Sequence, residues 1–231
     1  NLAWTADNSE GVLPLVPDDS SVSYLPLSHI AEQMFSVHIP ISIGYPVYFA
    51  ESIEALLDNL KEVKPTVFFA VPRVWEKFHA GVAAELGHAT GVKAKLAAWA
   101  QVVGRQAVAI ENRGGKQSGA LSAKMVVAGL VHKKVKAGIG MDRVRGAITG
   151  AAPISPELLE FFAGFHISII EVYGQSEGSG PTTFNRPGKT KFGSVGIAYP
   201  GAEVRLADDG EVLLKGGNVF AGYFRNPAAT A

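Results

Sequence analysis

The sequence predicts an α/β protein: a parallel sheet built from βαβ units, followed by the start of a small antiparallel β subdomain. Three observations carry this. From residue 21 to residue 86, short β-branched and aromatic runs alternate with segments of helical apolar spacing. The alternation resumes over residues 144–172. From about residue 190 the texture changes to short apolar stretches separated by Gly, Pro and Asp turns.

In chain order, residues 1–18 read as a short helix and then a loop. "SVSYLPL" (21–27) is a strand closed by proline, and Ser28 is placed to cap a helix running to His38. "ISIGYPVYFA" (41–50) reads as a second β-rich run. "SIEALLDNLKEV" (52–63) sets Ile53, Leu56, Leu57 and Leu60 on one helical face. "PTVFFAV" (65–71) is the third strand, and "RVWEKFHAGVAAEL" (73–86) is a helix. Residues 89–137 interrupt the alternation with two long helical patterns. Then come the strand "VRGAITG" (144–150), the helix "SPELLEFFAGF" (155–165) and the strand "ISIIEV" (167–172). "GSVGIAYPGAEVRL", "ADDGEVLLKG" and "NVFAGYF" (193–224) form the antiparallel part, dividing the chain into units 1–189 and 190–231.

Hydrophobic content of 47% with 18% charge suits a packed globular chain and excludes a disordered one. Lys+Arg and Asp+Glu are both 21, and that balance argues against a nucleic-acid binder. The chain has no cysteine, so disulfides, thiol catalysis and Cys-zinc sites are excluded and a cytoplasmic setting is expected. No apolar run is long enough to span a membrane, and the first residues lack a signal-type segment. The chain starts without methionine and stops without a closing signal, which suggests a piece of a longer protein.

Two turns carry the chemistry. In "ITGAAPISPELLEFF", Gly150-Ala151-Ala152 is a small-residue turn that lets a ligand approach the backbone. Ser155 is the expected N-cap, with Pro156 at N1 and Glu157 in the first turn. The next strand leads into Tyr173-Gly174-Gln175-Ser176-Glu177. Neighbouring parallel strands would place both turns at the carboxyl edge of one sheet, where open α/β folds bind ligands. There Tyr173 offers a stacking face, Gly174 a close approach, Ser176 a phosphate donor at a helix start, and Glu177 a hard oxygen ligand. The plain alternative is a glycine turn with Glu177 as a helix-end charge.

"YGQSEG" (173–178) resembles the Tyr-Gly-x-Ser/Thr-Glu motif of the AMP-forming acyl-CoA synthetases, in the acyl-adenylate-forming superfamily. "TGAAPISPEL" (149–158) resembles their adenine-side loop, and "GEVLLKGGNVFAGYFRNPAAT" (210–230) resembles a later stretch of the same enzymes. "SYLPLSHIAEQ" (23–33) and "AVPRVWEKF" (70–78) resemble segments of the long-chain fatty-acid branch. The resemblance covers nearly the whole chain. It implies the βαβ layers of the large N-terminal domain of an adenylate-forming enzyme, here a long-chain fatty-acid–CoA ligase using ATP, CoA, Mg2+ and a long-chain fatty acid.

By that resemblance Gly150, Ala151, Ala152, Pro153, Glu171, Val172, Tyr173, Gly174, Gln175 and Ser176 bind ATP or AMP, with Tyr173 stacking on adenine. Ser176 and Glu177 serve catalysis, and Glu177 binds the metal. His29, Trp75 and Gly174 line the acyl site, Trp75 as wall or gate of a tunnel. The family's phosphate-binding loop would precede Asn1. Its ribose-binding Asp and C-terminal domain with the catalytic lysine would follow Ala231. The chain alone is therefore expected to be inactive. A carrier-protein loader, a luciferase-like relative and a silent lipid- or nucleotide-binding module are the other readings.

His29 has a plain alternative as a packing residue in a first helical turn, and Trp75 as a core tryptophan. Residues 121–136 form a basic amphipathic pattern that could touch an anionic membrane as a peripheral contact, or simply face solvent. His38, His79, His88 and His132 show no metal-ligand spacing, and His166 reads as structural. "GKTKFGS" (188–194) lacks the context of a phosphate loop.

Overall fold

The computed structural model describes residues 1–230. Its elements run α1 (Leu2–Asp7), β1 (Ser21–Ser23), α2 (Ile30–Gln33), α3 (Ile39–Ile43), β2 (Val47–Phe49), α4 (Leu56–Val63), β3 (Val67–Ala70), α5 (Pro72–Gly87), α6 (Gly91–Glu111), α7 (Gly119–Gly138) and β4 (Gly146–Thr149). Then follow α8 (Pro156–Ala163), β5 (Ile169–Gln175), β6 (Gly180–Phe184), β7 (Ile197–Ala198), β8 (Glu203–Leu206), β9 (Val212–Lys215) and α9 (Pro227–Thr230).

The central sheet has the order β3-β4-β5-β6-β7. Its first three strands are parallel, in the register Phe69↔Ile148↔Ile170. β6 and β7 then add antiparallel. β1 and β2 form a separate parallel pair, and β8 and β9 a separate hairpin. The α/β class and the parallel βαβ core are as the sequence predicts.

Alternation along β3–β5 divides the core into two layers. Phe68, Ala70, Ala147 and Ile169 face α4, α5 and α8, meeting Trp75, Phe78, Leu159, Phe162 and Phe165. Val67, Phe69, Ile148 and Ile170 face the other way, onto Leu13, Leu15, Met34 and Tyr45. α6 and α7 pack as a hairpin outside the first layer with a small apolar seam of their own around Ala100, Val103, Ala107, Leu121 and Ala128. Gly104 makes that docking possible, because a Cβ there would stand 2.3 Å from the Gly164 carbonyl oxygen.

A polar clasp ties the N-terminal loop to the sheet. Buried Asp19 accepts from Thr66 Oγ1 at 2.6 Å, from Val16 N–H at 2.8 Å and from Arg145 Nε at 2.7 Å. Burial raises its carboxyl pKa, but the bonds from Arg145, Thr66 and Val16 outweigh this and leave it below the usual value of 3.8.

Several local expectations fail. β1 stops at Ser23, so "YLPL" is loop, and α2 is capped by His29 rather than Ser28: its Nδ1 accepts from the Ala31 N–H at 3.2 Å. The run 41–50 is only partly β. Residues Ile39–Ile43 are helical, ended by Gly44 at φ +94°, and only Val47–Phe49 pair as strand. Between α2 and α3 the chain makes a π-helical turn, Met34–His38, which accommodates the missing N–H of Pro40. "NVFAGYF" contains no strand.

Candidate active site

Thr149–Ala152 closes β4 and Val172–Glu177 extends its parallel neighbour β5, and the two meet at one sheet edge, as expected. They touch: a Cβ on Gly150 would stand 2.6 Å from Val172 Cγ1 and 3.0 Å from the Val172 carbonyl oxygen. Ala151 adopts φ +70°, the left-handed region that a residue with a Cβ avoids, so the small-residue turn is held under backbone strain. Ser155 caps α8, its Oγ accepting from the Leu158 N–H at 3.2 Å, with Pro156 at N1.

The second motif is not the strand-to-helix turn that the sequence suggests. β5 continues through Gln175 and turns back into antiparallel β6, with the register pairs Gly174↔Pro181 and Gln175↔Gly180 and an irregularity at Tyr173/Gly174. Ser176–Gly178 make a single 3-10 turn at the tip. Ser176 therefore stands at a hairpin tip, not at the start of an α-helix. The physical reason lies in two glycines. A Cβ on Gly174 would come within 1.8 Å of the Gly180 carbonyl oxygen, so only glycine lets the two strands close.

A second segment clamps the tip. Ser179 Oγ donates to the Asn218 carbonyl at 2.6 Å, Asn218 Nδ2 to the Gly178 carbonyl at 3.1 Å, and the Phe220 N–H to the Glu177 carbonyl at 2.8 Å. Tyr223 O–H donates to Glu177 Oε1 at 2.7 Å, and this bond, with a backbone bond, lowers the Glu177 carboxyl pKa. Tyr173, Gly174, Gln175 and Ser176 are exposed along the same hairpin, as are Ala151, Ala152 and Pro153 beside it.

Directly behind Gly174 lies an apolar cavity. It is lined by His29, Ala151, Val172, Gly174 and Gly180 at the polar end and by Met34, Phe35, Phe69, Phe184 and Tyr199 deeper in. It holds about 680 Å³ of empty space, part of it open to solvent. His29 uses Nδ1 as the α2 cap, accepting from the Ala31 N–H, which leaves Nε2 as the other ring nitrogen.

Two expected site residues are engaged within the fold. Trp75 is fully buried in the opposite layer, edge-on to Phe68, Phe78 and Phe162 at ring separations of 5.2–5.9 Å, so it is a core residue and not a wall of this cavity. Glu171 turns its buried carboxylate onto the Gly193 N–H at 2.9 Å, and burial raises its pKa. There it holds the 192–194 loop against β5. The lining residues Met34, Phe35 and Phe69 and the clamp residue Tyr223 escaped sequence reasoning. Met34 lies one turn beyond Ile30 on a helix that begins beside His29, which is a legible signal. Tyr223 reaches Glu177 across 46 residues, and no local pattern shows that.

No group of three or more His, Asp or Glu that could hold a metal occurs among the described residues. Glu177 nevertheless suits Mg2+, an ion that protein carboxylates hold one or two at a time while substrate phosphates complete the shell. Its half-exposed carboxylate at the hairpin tip, whose side-chain partner is the neutral Tyr223 hydroxyl, fits such a role.

An α/β core carries a glycine-containing polar hairpin beside an apolar cavity, and comparison with known proteins shows the family. Residues 1–224 match the AMP-binding enzyme family, and the chain belongs to that family. Human long-chain-fatty-acid–CoA ligase ACSBG2 is 39% identical over 239 residues, covering all of this chain and 36% of that protein. Long-chain-fatty-acid–CoA ligase FadD15 of Mycobacterium bovis is 37% identical over 210 residues, covering 90% of this chain and 34% of its own length. The chain thus spans about a third of the curated relatives it matches. Among solved structures, the adenylation domain of a Mycobacterium chelonae carboxylate reductase aligns over 99% of this chain and 32% of its own, with a TM-score of 0.70 at 20% identity. ATP-bound MatB from Rhodopseudomonas palustris aligns over 99% of this chain and 38% of its own, with a TM-score of 0.64 at 19% identity. Both show the shared fold.

Proposed function

We propose that this chain is the central part of an ATP-dependent long-chain fatty-acid–CoA ligase. The single observation that carries the reading is the apolar cavity behind Gly174, lined by Met34, Phe35, Phe69 and Phe184 with His29 and Gly174 at one end, on the strand that leads into the Ser176–Glu177 tip. A fatty acid has that same division, with a long apolar chain and one charged end. The names of the most similar relatives point the same way.

In this reading the fatty chain lies against Phe69, Met34 and Phe184, and its carboxylate emerges beside Gly174. His29 Nε2–H is free to donate to it. Tyr173 stacks on adenine, with Gly150, Ala151, Ala152 and Pro153 on the other side of the base and Gln175 beside the nucleotide. Ser176 donates to the α-phosphate. Mg2+, held by Glu177, would neutralise phosphate charge. One carboxylate oxygen attacks the α-phosphorus, pyrophosphate leaves, and acyl-AMP forms. The coenzyme A thiolate then attacks the acyl carbonyl and AMP departs. The residues named here orient the reactants and donate hydrogen bonds, and no protein nucleophile is needed. Residues 1–189 carry most of this site, and 190–231 open a second unit from which Tyr199 reaches the cavity and Tyr223 reaches Glu177. The setting is cytoplasmic, with peripheral membrane contact. A ligase with another acceptor remains the nearest competing function, because the acceptor side is not built by these residues.

The test uses the full-length protein. Glu177→Gln should fold normally, release pyrophosphate at least a hundredfold more slowly at limiting Mg2+, and recover in part as Mg2+ is raised. Unchanged release at limiting Mg2+ would remove the metal role. The 231-residue chain alone, assayed with ATP, Mg2+ and palmitate, should show no sustained release.

A further inference from the structure

Charge is segregated along this chain. The whole sequence is formally neutral, with 21 residues of each sign. The α6–α7 hairpin and its connecting loop, residues 91–138, hold nine Lys and Arg against the single acid Glu111, a net of +8. The other 183 residues carry 12 cations against 20 acids and offset it. α7 itself contains no Asp or Glu.

The geometry of α7 sharpens this. Its inner face, Leu121, Ala128 and His132, is buried, and the first two belong to the α6–α7 seam. Its outer face carries Val126 and Leu130, each 76% exposed, with Val127 at 50%. Ala123 lies one turn before Val127, on the same side. Lys124, Lys133 and Lys134 are all exposed around this strip, and none forms an ion pair among the described residues. An ordinary solvated face would mix both signs and bury its branched aliphatics.

We infer that the outer face of α7 docks on an anionic phospholipid bilayer, with Val126 and Leu130 entering the headgroup–acyl boundary and the surrounding lysines meeting lipid phosphates. Charge complementarity selects the occupant: a helix with no acid and a fringe of unpaired lysines matches the negative cytoplasmic leaflet. The long lysine stems can lie along the surface while their ammonium groups reach the phosphates. An acidic protein is the competing occupant, but the strip lacks the Trp, Tyr or Arg anchor at its centre that protein interfaces favour. The purpose rests on the ligase reading, since long-chain fatty acids partition into bilayers and docking would bring the cavity to its substrate. The docking itself does not depend on that reading.

The experiment is vesicle flotation of the 231-residue chain and of the full-length protein, without ATP or fatty acid. Vesicles are phosphatidylcholine alone or mixed with phosphatidylglycerol. Binding to the anionic vesicles is expected, weakening with salt and falling by about fivefold for each of Lys133→Gln and Lys134→Gln. Leu130→Ser should weaken it as well. Circular dichroism should show all variants folded, as these side chains point outward. In Leu130→Trp, emission should be quenched by lipids brominated near the headgroups. Absence of binding to anionic vesicles, binding unchanged by both lysine substitutions, or an unquenched Trp at 130 each overturns the proposal. Pyrophosphate release by full-length Lys133→Gln/Lys134→Gln on a detergent-free, soluble fatty-acid complex should stay normal, so loss of docking and loss of the ligase function read out separately.

Discussion

Gly174→Ala tests the hairpin geometry most sharply. The backbone at Gly174 is outside the left-handed region, so conformation alone would tolerate alanine. Sterics decide instead. The added Cβ would lie 1.8 Å from the Gly180 carbonyl oxygen, 2.7 Å from its carbon and 3.0 Å from Pro181 Cα. An ordinary carbon–oxygen contact is about 3.3 Å, so β6 must retreat from β5 by roughly 1.5 Å at the motif. Forcing atoms into a packed region typically costs about 1–3 kcal/mol, and backbone on both sides puts this case at the upper end. For a chain of this size that lowers Tm by roughly 5–10 °C. The same shift displaces Ser176 and Glu177 at the hairpin tip. A misplacement of about 1 Å can cost on the order of a hundredfold in rate, so pyrophosphate release by the full-length variant should drop at least that much. Gly81→Ala is the control: nothing lies within 4 Å of its added Cβ, it sits in α5, and helix propensity should stabilise the protein by up to about 1 kcal/mol. If both substitutions raise Tm, the close approach of β5 and β6 is wrong, and with it the account of the hairpin.

Tyr223→Phe removes the hydroxyl that now occupies Glu177, so in the full-length protein the Mg2+ needed for half-maximal pyrophosphate release should fall, with Tm nearly unchanged; a higher requirement would mean that Tyr223 assists the metal instead of competing with it. Asp19→Asn breaks a clasp whose carboxylate is almost fully buried while Arg145 is 37% exposed, which places the cost at about 2–4 kcal/mol, below that of a wholly buried pair. Because the folded Asp19 pKa is lowered, its contribution is fully present above pH 3.8 and is lost as pH falls through the lower folded value. Acid titration of stability in the native chain should be steeper below pH 3.8 than in Asp19→Asn, and equal slopes would show that the clasp adds nothing.

The parallel core was legible because β3, β4 and β5 are short apolar runs flanked by helices with clean spacing, such as Leu56 and Leu60 on α4. The stretch 41–50 reads as β because "ISI" satisfies both a strand and the last turn of a helix. The π-helical turn Met34–His38, leading into α3 with Pro40 in its first turn, decides it, and that depends on packing in the second core layer. The motif at 173–177 announced its residue types but not their setting. Extension of β5 into a hairpin requires the Gly180 carbonyl to pass close against Gly174, an approach between two strands that single-strand periodicity does not encode. Trp75 looked the same in sequence whether it faced a cavity or a core. Only the direction in which α5 packs, onto Phe68 and Phe162, separates the two.

The central claim is that the hairpin and the cavity behind Gly174 together hold an acyl-adenylate. The most direct measurement is a crystal structure of the full-length protein bound to a non-hydrolysable palmitoyl-adenylate analogue. The account predicts the adenine ring against Tyr173 and the 150–153 turn, the phosphate-equivalent group within hydrogen-bond distance of Ser176 Oγ, and the acyl chain running from Gly174 between Met34, Phe69 and Phe184. An acyl chain lodged beside Trp75, or an adenine remote from Tyr173, would contradict it.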